Sequence, residues 1–584
     1  MNARLRRPLK LALLISALIA LLAGLANAQE QPAKKEKGSA SVISGRISSN
    51  DNQPLSNARV TVSKVTITAT TGQTLKIDSN GDFESLPLEP GLYFLTVTVP
   101  GFIRDPSAPT PSPYVRPGDN VDVKMIRGGI ITGTVRNAIG EGAVAISVRA
   151  YRVKSPNGDP IPVAFASREV FTDDRGVYRL YGLPAGTYIV SAGGLSRSFG
   201  GFMPSAYESF VPTYAPSATR DTAMEIQVTN GNEAQADIQF REDRGHVISG
   251  TVVAPQGPEG VQPYAATVTV FDLHSHLEVA NTSAIGGNNY SFAVSGVPDG
   301  DYEIYAWQGS STNDQKWSPI TLIKVQGADL TGVKLAMAPL ASFEGRVIFE
   351  DDPNSECGKH RAIAFAETVV NTRRYEARPP AKDAAPADVP STSRNMSRGG
   401  LVDNRGAFNF KNLQAGTYQI DVGAQPPGWY MRSIALARNA ATNIAHDGLS
   451  LKRGEHVTGV TITFAEGAGK FKGHVSAGEG QTLPLKLRVY LVPAEREAGG
   501  NLLRFYETAA ERDGSFTLDN LAPGSYLLIA RRAEENGLGL IKFVRQDEAL
   551  RTAVLKEAEA AKKEIAIKPC QQINDFDLPY VAPR

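Results

Sequence analysis

The chain is 584 residues long and 42% hydrophobic, and its 61 basic and 60 acidic side chains leave a formal net charge of +1. That length exceeds what one hydrophobic core sustains and implies several domains. The near-neutral balance excludes the concentrated basic footprint of a nucleic-acid binder, and beyond the first 28 residues no apolar run approaches the roughly 20 residues of a membrane helix.

Met1 to Ala28 has Arg4, Arg6, Arg7 and Lys10 ahead of an apolar run from Leu11 to Leu25, followed by Ala26-Asn27-Ala28. This is the plan of a secretory signal peptide, with cleavage expected between Ala28 and Gln29. No cysteine directly follows that point, so a lipid anchor is not expected, and removal of the segment takes the formal charge to about −3. The sequence therefore predicts a secreted or periplasmic, cell-envelope protein with no membrane span after cleavage. Residues 29–38 read as a linker.

Five repeats follow, predicted at residues 39–126, 127–242, 243–339, 340–466 and 467–584. Each opens on Gly-x-β-branched: Gly45-Arg-Ile47, Gly133-Thr-Val135, Gly250-Thr-Val252, Gly345-Arg-Val347 and Gly473-His-Val475. An acidic-x-x-Gly-x-aromatic segment comes later, at Asp78 to Phe83, Asp173 to Tyr178, Asp403 to Phe408 and Glu511 to Phe516, with a degenerate copy ending in Phe292. Ten residues beyond each aromatic stands a Tyr preceded at minus two by Gly: Tyr93, Tyr188, Tyr302, Tyr418 and Tyr526. Repeats decide architecture before any other feature.

Within the units apolar residues alternate, as at Val60 and Val62, Val144 to Ala150, Val268 and Val270, and Leu487 to Leu491. This is the period of strands with one buried face. The Gly segments read as hairpin turns and the Leu-x-x-Gly-x-Tyr segments as a second tight turn. A last strand closes most units, and the whole predicts an all-β fold of five tandem β-sandwiches. Between the Tyr strand and the closing strand a variable loop is expected to carry Trp307 and Trp317 in the third unit and Trp429 and Tyr430 in the fourth. The fourth unit also has a polar Pro/Ala-rich insertion from about Arg378 to Gly399, and the fifth a short helix over Asp547 to Lys563 with Leu550, Val554, Ala558 and Ala561 on one face. Short connections such as Ile126 to Gly129 predict a stiff rod or arc, with ligand grooves on the surfaces between units.

The Gly-x-Val opening, the acidic-x-x-Gly-x-aromatic turn and the Leu-x-x-Gly-x-Tyr close together resemble the carboxypeptidase regulatory-like domain, a transthyretin-like (prealbumin-like) sandwich related in fold to starch-binding-like domains. The resemblance covers nearly the whole chain from about Ser39, and it implies a tandem or accessory module of secreted bacterial proteins. The zinc peptidase domain that accompanies it in the enzymes of that name has no counterpart here, and a shared fold is not evidence of shared activity.

The residues themselves offer little catalysis. Five of the seven histidines stand singly, and only His274-Ser-His276-Leu-Glu278 forms a cluster, which reads as a polar strand face for want of a further ligand. There is no Gly-x-Ser-x-Gly elbow and no phosphate loop. Asp78-Ser-Asn80-Gly-Asp82-Phe-Glu84 places oxygens on alternate positions, as calcium loops do, yet Arg175 and Arg405 occupy the equivalent segment in other copies, which favours a hairpin turn. No enzyme and no cofactor are expected.

Two function classes remain. The first is a non-catalytic binding or scaffold protein with an envelope protein or polysaccharide as partner. The second is carbohydrate binding by stacking on Trp307, Trp317, Trp429 or Tyr430, since exposed aromatic rings combine apolar area with a polar edge; packing between domains competes for the same residues. Metallopeptidase-associated activity ranks last. Cys357 and Cys570 either pair across the fourth and fifth units or remain isolated thiols.

Overall fold

The computed structural model describes residues 41–580 except 66–71, 106–113, 159–160, 162–167, 195–205, 208, 254–264, 274–276, 286–288, 311–312, 352–356, 358–364, 376–397, 438–443, 479–481, 485–486, 496–501, 512, 534–543 and 547. The expected signal segment with Ala28 and Gln29, the linker, most of the Pro/Ala-rich insertion and the His274 and His276 pair lie outside the described residues.

Among the described residues ten sheets form five facing pairs. In the second unit the opening strand Gly129–Arg136 pairs antiparallel with Val177–Leu183 and parallel with Glu233–Gln235 and Ile238–Gln239, making one sheet. Ser147–Lys154, flanked by Arg168–Phe171 and Gly186–Ala192, makes the other. Alternate residues of both sheets meet in a core that includes Ile131, Val135, Val148, Tyr178, Leu180, Tyr188, Val190 and Phe240. The same opening-to-closing parallel pair recurs in every unit, between Ser44–Ser49 and Asn120–Arg127, His246–Val253 and Leu330–Ala336, Ala341–Glu350 and His456–Glu466, and Gly469–Ser476 and Gln572–Pro579. A parallel pair needs a long crossover, so nearly the whole unit lies between its two members.

Each part of the repeat has one physical task. The opening glycine stands directly across the ladder from the aromatic of the turn segment: Gly45 with Phe83, Gly133 with Tyr178, Gly250 with Phe292, Gly345 with Phe408 and Gly473 with Phe516. A Cβ on Gly133 would lie 3.1 Å from the Tyr178 ring and collide with the Ala236 carbonyl of the parallel strand. The empty glycine position is therefore filled by the ring, and all five rings are at most 5% exposed. The turn itself is closed by its acidic residue. Asp173 Oδ1 accepts from the backbone N–H of Arg175 (3.0 Å) and of Val177 (2.8 Å), and Asp78 and Asp403 do the same in their units. Gly176, at φ +76°, then donates to the Asp173 carbonyl and offers its own carbonyl to Val135 on the opening strand. In the degenerate third copy Asn289 and Tyr290 take positive φ instead, and Tyr290 supplies the carbonyl to Val252.

The closing Tyr makes a corner. In all five units its hydroxyl donates to the carbonyl four residues back: Tyr93 to Glu89, Tyr188 to Pro184, Tyr302 to Pro298, Tyr418 to Gln414 and Tyr526 to Ala522, at 2.6 to 2.9 Å. One ring thus fills the core and its polar tip satisfies the turn that precedes it.

Several expectations are corrected. The aromatic segments of the third and fourth units are strands, not loops: Trp307 lies on Gly300–Ser310, Trp317 on Asn313–Trp317, and Trp429 and Tyr430 on Trp429–Leu436. The helix spans Glu548–Ala561 and buries Leu550, Val554 and Ala558 against Tyr490 and Val492, while Ala561 is exposed because the chain turns left-handed at Lys562 (φ +52°). An unanticipated one-turn helix, Ile444–Asp447, tucks Ile444 into the fourth core. Nor do the units extend as a rod or arc. Arg116 of the first unit forms an ion pair at 3.3 Å with Glu367 of the fourth and donates to the Gln425 carbonyl at 3.1 Å, so the chain folds back on itself. The second and third units meet through Tyr151, Ile189, Tyr214 and Leu277.

Replacing Tyr188, fully buried, by Ala is expected to destabilise the second unit by about 3–5 kcal/mol in urea unfolding, whereas Tyr188→Phe, which only orphans the Pro184 carbonyl, costs about 1–2 kcal/mol. Burial pushes the Tyr188 hydroxyl from 10 up to about 12. Its neutral form is therefore favoured by folding, so its contribution is intact below pH 10 and lost as pH rises through about 12. An alkaline unfolding profile of Tyr188→Phe that shows less loss across that window than the parent is the expected result.

Candidate functional site

Two adjoining cavities of about 940 Å³ and 480 Å³ lie along the junction of the fourth and fifth units. They share Asp421, Leu503, Tyr506, Asp519 and Arg545, so they form one elongated groove. The fourth unit supplies one wall from the end of its Tyr strand, Gly416–Ala424. The fifth supplies the floor from its opening strand, whose alternation buries Phe471 in the core and turns Lys470 and Lys472 outward, beside Gln572 and Asn574 of the closing strand. Leu503, on a turn of the fifth unit, inserts into the core of the fourth and seats the two units against each other.

The groove is polar and its carboxylates are paired. Arg545 reaches across the junction to Asp421 at 3.4 Å, Lys470 holds Asp519 at 2.7 Å, and Arg488 approaches Glu507 at 3.7 Å. Burial pushes the Glu507 carboxyl above its ordinary value, with the Arg488 charge opposing the shift. The Tyr506 ring stands edge-on to Tyr526, and its hydroxyl accepts from the Ala522 N–H at 2.8 Å. At one end the chain is joined by a disulfide between Cys357 and Cys570, with Cα atoms 5.6 Å apart, so the structure links the two units covalently at the lip of the groove.

The four aromatic candidates are not brought together. Trp429 is 3% exposed and packs edge-on against Phe349 in the fourth core at 5.0 Å, which removes it as a stacking face; Tyr430, its neighbour on the opposite side of the strand, is half-buried. Trp307 and Trp317 pair across strands and end a ring stack that runs Phe271, Tyr305, Trp317, Trp307, with centroids 5.9, 5.1 and 6.4 Å apart. Trp317 Nε1 is buried without a hydrogen-bond partner, beside a small cavity that Gln414 of the fourth unit also lines. The acidic segment of the first unit is taken up internally, because Asp78 caps its turn and Asp82 pairs with Arg46 at 2.7 Å. Among the described residues no three His, Cys, Asp or Glu side chains come close enough to hold a metal ion.

Sequence reading pointed to surfaces between units but not to the residues of this groove. The alternation Lys470-Phe471-Lys472 marks an outward polar face. Its partners Gln572 and Asn574 lie about 100 residues downstream, and Asp421 sits in another unit, so only the parallel strand pairing and the inter-unit packing assemble them.

The architecture defines a chain of tandem all-β sandwiches. Residues 42–123, the first unit, match the model of the carboxypeptidase regulatory-like domain. Among solved structures the chain is similar to the Bacillus anthracis TIE protein (11% identity over 78% of this chain and 74% of that one, TM-score 0.15), a Streptococcal ancillary pilin (13%, 59% and 100%, 0.16) and two B repeat units of the collagen-binding protein of Staphylococcus aureus (11%, 73% and 99%, 0.12). Among curated proteins none matches.

Trp317→Phe is expected to cost less than about 1 kcal/mol in thermal or urea unfolding, because the unpaired buried donor leaves with the indole, whereas Trp317→Ala costs about 3 kcal/mol or more by opening the ring stack.

Proposed function

We propose that this chain is a non-catalytic, secreted or envelope-associated scaffold that binds an envelope component in the groove between its fourth and fifth units. The observation that carries this reading is the groove itself: a large polar recess whose walls come from two separate sandwiches. A docked helical turn, the Arg545–Asp421 ion pair across the junction and the Cys357–Cys570 bridge hold those walls in register. Preorganised walls spare a ligand the cost of ordering them. The other recurring features of the chain, the turn carboxylates and the corner tyrosines, are consumed by internal hydrogen bonds and support a structural rather than a chemical role for the repeat. Secretion rests on the Met1 to Ala28 segment, and the partner classes are an envelope protein or a polysaccharide.

A second reading is polysaccharide stacking at the third unit, favoured by the half-buried Trp307 at the end of its ring stack.

The test is retention of envelope-fraction components on immobilised residues 29–584, compared with Asn574→Trp and Trp307→Ala forms. Asn574→Trp fills the floor of the larger cavity without changing its charge, and the expected result is a component captured by the parent and by Trp307→Ala but lost with Asn574→Trp. Capture unaffected by Asn574→Trp and lost with Trp307→Ala would move the binding surface to the ring stack.

A further inference from the structure

The charge and hydrogen-bonding inventory of the groove defines what fits it. Five cations face three carboxylates along its length. Asp421, Asp519 and Glu507 each already have a cation beside them, and Arg116 at the rim is taken by Glu367, whose side chain is only 4% exposed. Lys472 differs: it is exposed, lines the larger cavity and makes no ion pair among the described residues. An incoming anion therefore meets an uncommitted charge, while an incoming cation meets only carboxylates that are already paired.

Around Lys472 the same cavity is lined by the amides of Asn520, Gln572 and Asn574, which make no side-chain hydrogen bond among the described residues. An amide offers two donors and an acceptor, a set that matches neighbouring hydroxyls, each of which both donates and accepts. The larger cavity, where these groups lie, is lined mainly by polar side chains and backbone, with Ile420, Leu502 and Phe505 confined to the second, so a ligand seated at Lys472 is met chiefly by hydrogen-bonding groups. The recess also continues into the second cavity past Tyr506, so an extended chain suits it better than a compact molecule.

We propose that this groove binds an acidic polysaccharide, a hydroxyl-rich chain bearing carboxylates, with one carboxylate at Lys472 and sugar hydroxyls on Asn520, Gln572 and Asn574. The proposal rests on the reading of the groove as the scaffold's binding surface and names its ligand class.

Calorimetric titration of residues 29–584 with polygalacturonate, with the neutral glucan laminarin and with poly-glutamate tests it. Polygalacturonate is expected to bind, more weakly as salt is raised, with the other two on the order of tenfold weaker or worse. Lys472→Glu, a change on an exposed side chain, is expected to lower polygalacturonate affinity on the order of tenfold without moving Tm, and Trp307→Ala to leave it unchanged. Equal binding of laminarin would remove the need for charge, equal binding of poly-glutamate the need for hydroxyls, and unchanged affinity in Lys472→Glu the assignment to this groove; each overturns the proposal. Absence of binding to all three overturns it as well, and leaves the capture of an envelope component by the parent, and its loss with Asn574→Trp, to decide the scaffold reading separately.

Discussion

The cross-strand meeting of a glycine with an aromatic ring is the contact on which the rest of this molecule depends. A strand glycine forfeits side-chain packing and costs conformational entropy, and it persists only where close approach requires it. Here the approach comes from two sides at once. Phe408 lies across Gly345 on the antiparallel neighbour, and the carbonyl of Val460 crowds the same point from the parallel one. Any side chain there would push apart the opening and closing strands of the unit, and with them the two ends of the domain. Five copies of that contact, five acidic or Asn/Tyr turns behind it and five corner tyrosines explain why so sparse a sequence pattern recurs at such regular positions.

That division of labour has a consequence for function. The features that repeat are spent on closing each sandwich, so binding has to reside in what does not repeat. The non-repeating features collect at the fourth and fifth units: the disulfide, the inserted Leu503, the Arg545 to Asp421 pair, the helix packed on Tyr490 and the groove they frame. The ion pair from Arg116 to Glu367 brings the first unit to the rim of the same region. Burial of Glu367 makes that pair sensitive to loss of either partner, because a lone buried carboxylate is far costlier than a paired one.

Much of the fold was legible in the sequence, because turn glycines, alternating valines and the Gly-x-Tyr corner are local signals. Tyr188 and Phe408, fixed positions of the repeat pattern, are both buried. What local signals could not give was any contact that joins units. Trp429 read as a loop aromatic and is a core ring, since an additional edge strand carries it inward against Phe349. The rod or arc read from short connections gives way to a folded-back chain, because connection length carries no information on contacts such as those of Arg116 with Glu367 and Gln425. The groove residues were illegible for the same reason: Lys472 and Asn574 are neighbours only through a parallel pairing, and Asp421 only through the packing of two domains.

Hydrogen exchange of residues 29–584 with and without polygalacturonate tests most directly whether the groove between the fourth and fifth units is the binding surface. The account predicts slowed exchange confined to Gly469–Ser476, Gln572–Pro579 and the end of Gly416–Ala424, with the third unit unchanged. Slowed exchange along Gly300–Ser310 and Asn313–Trp317, with the groove strands unaltered, would contradict it.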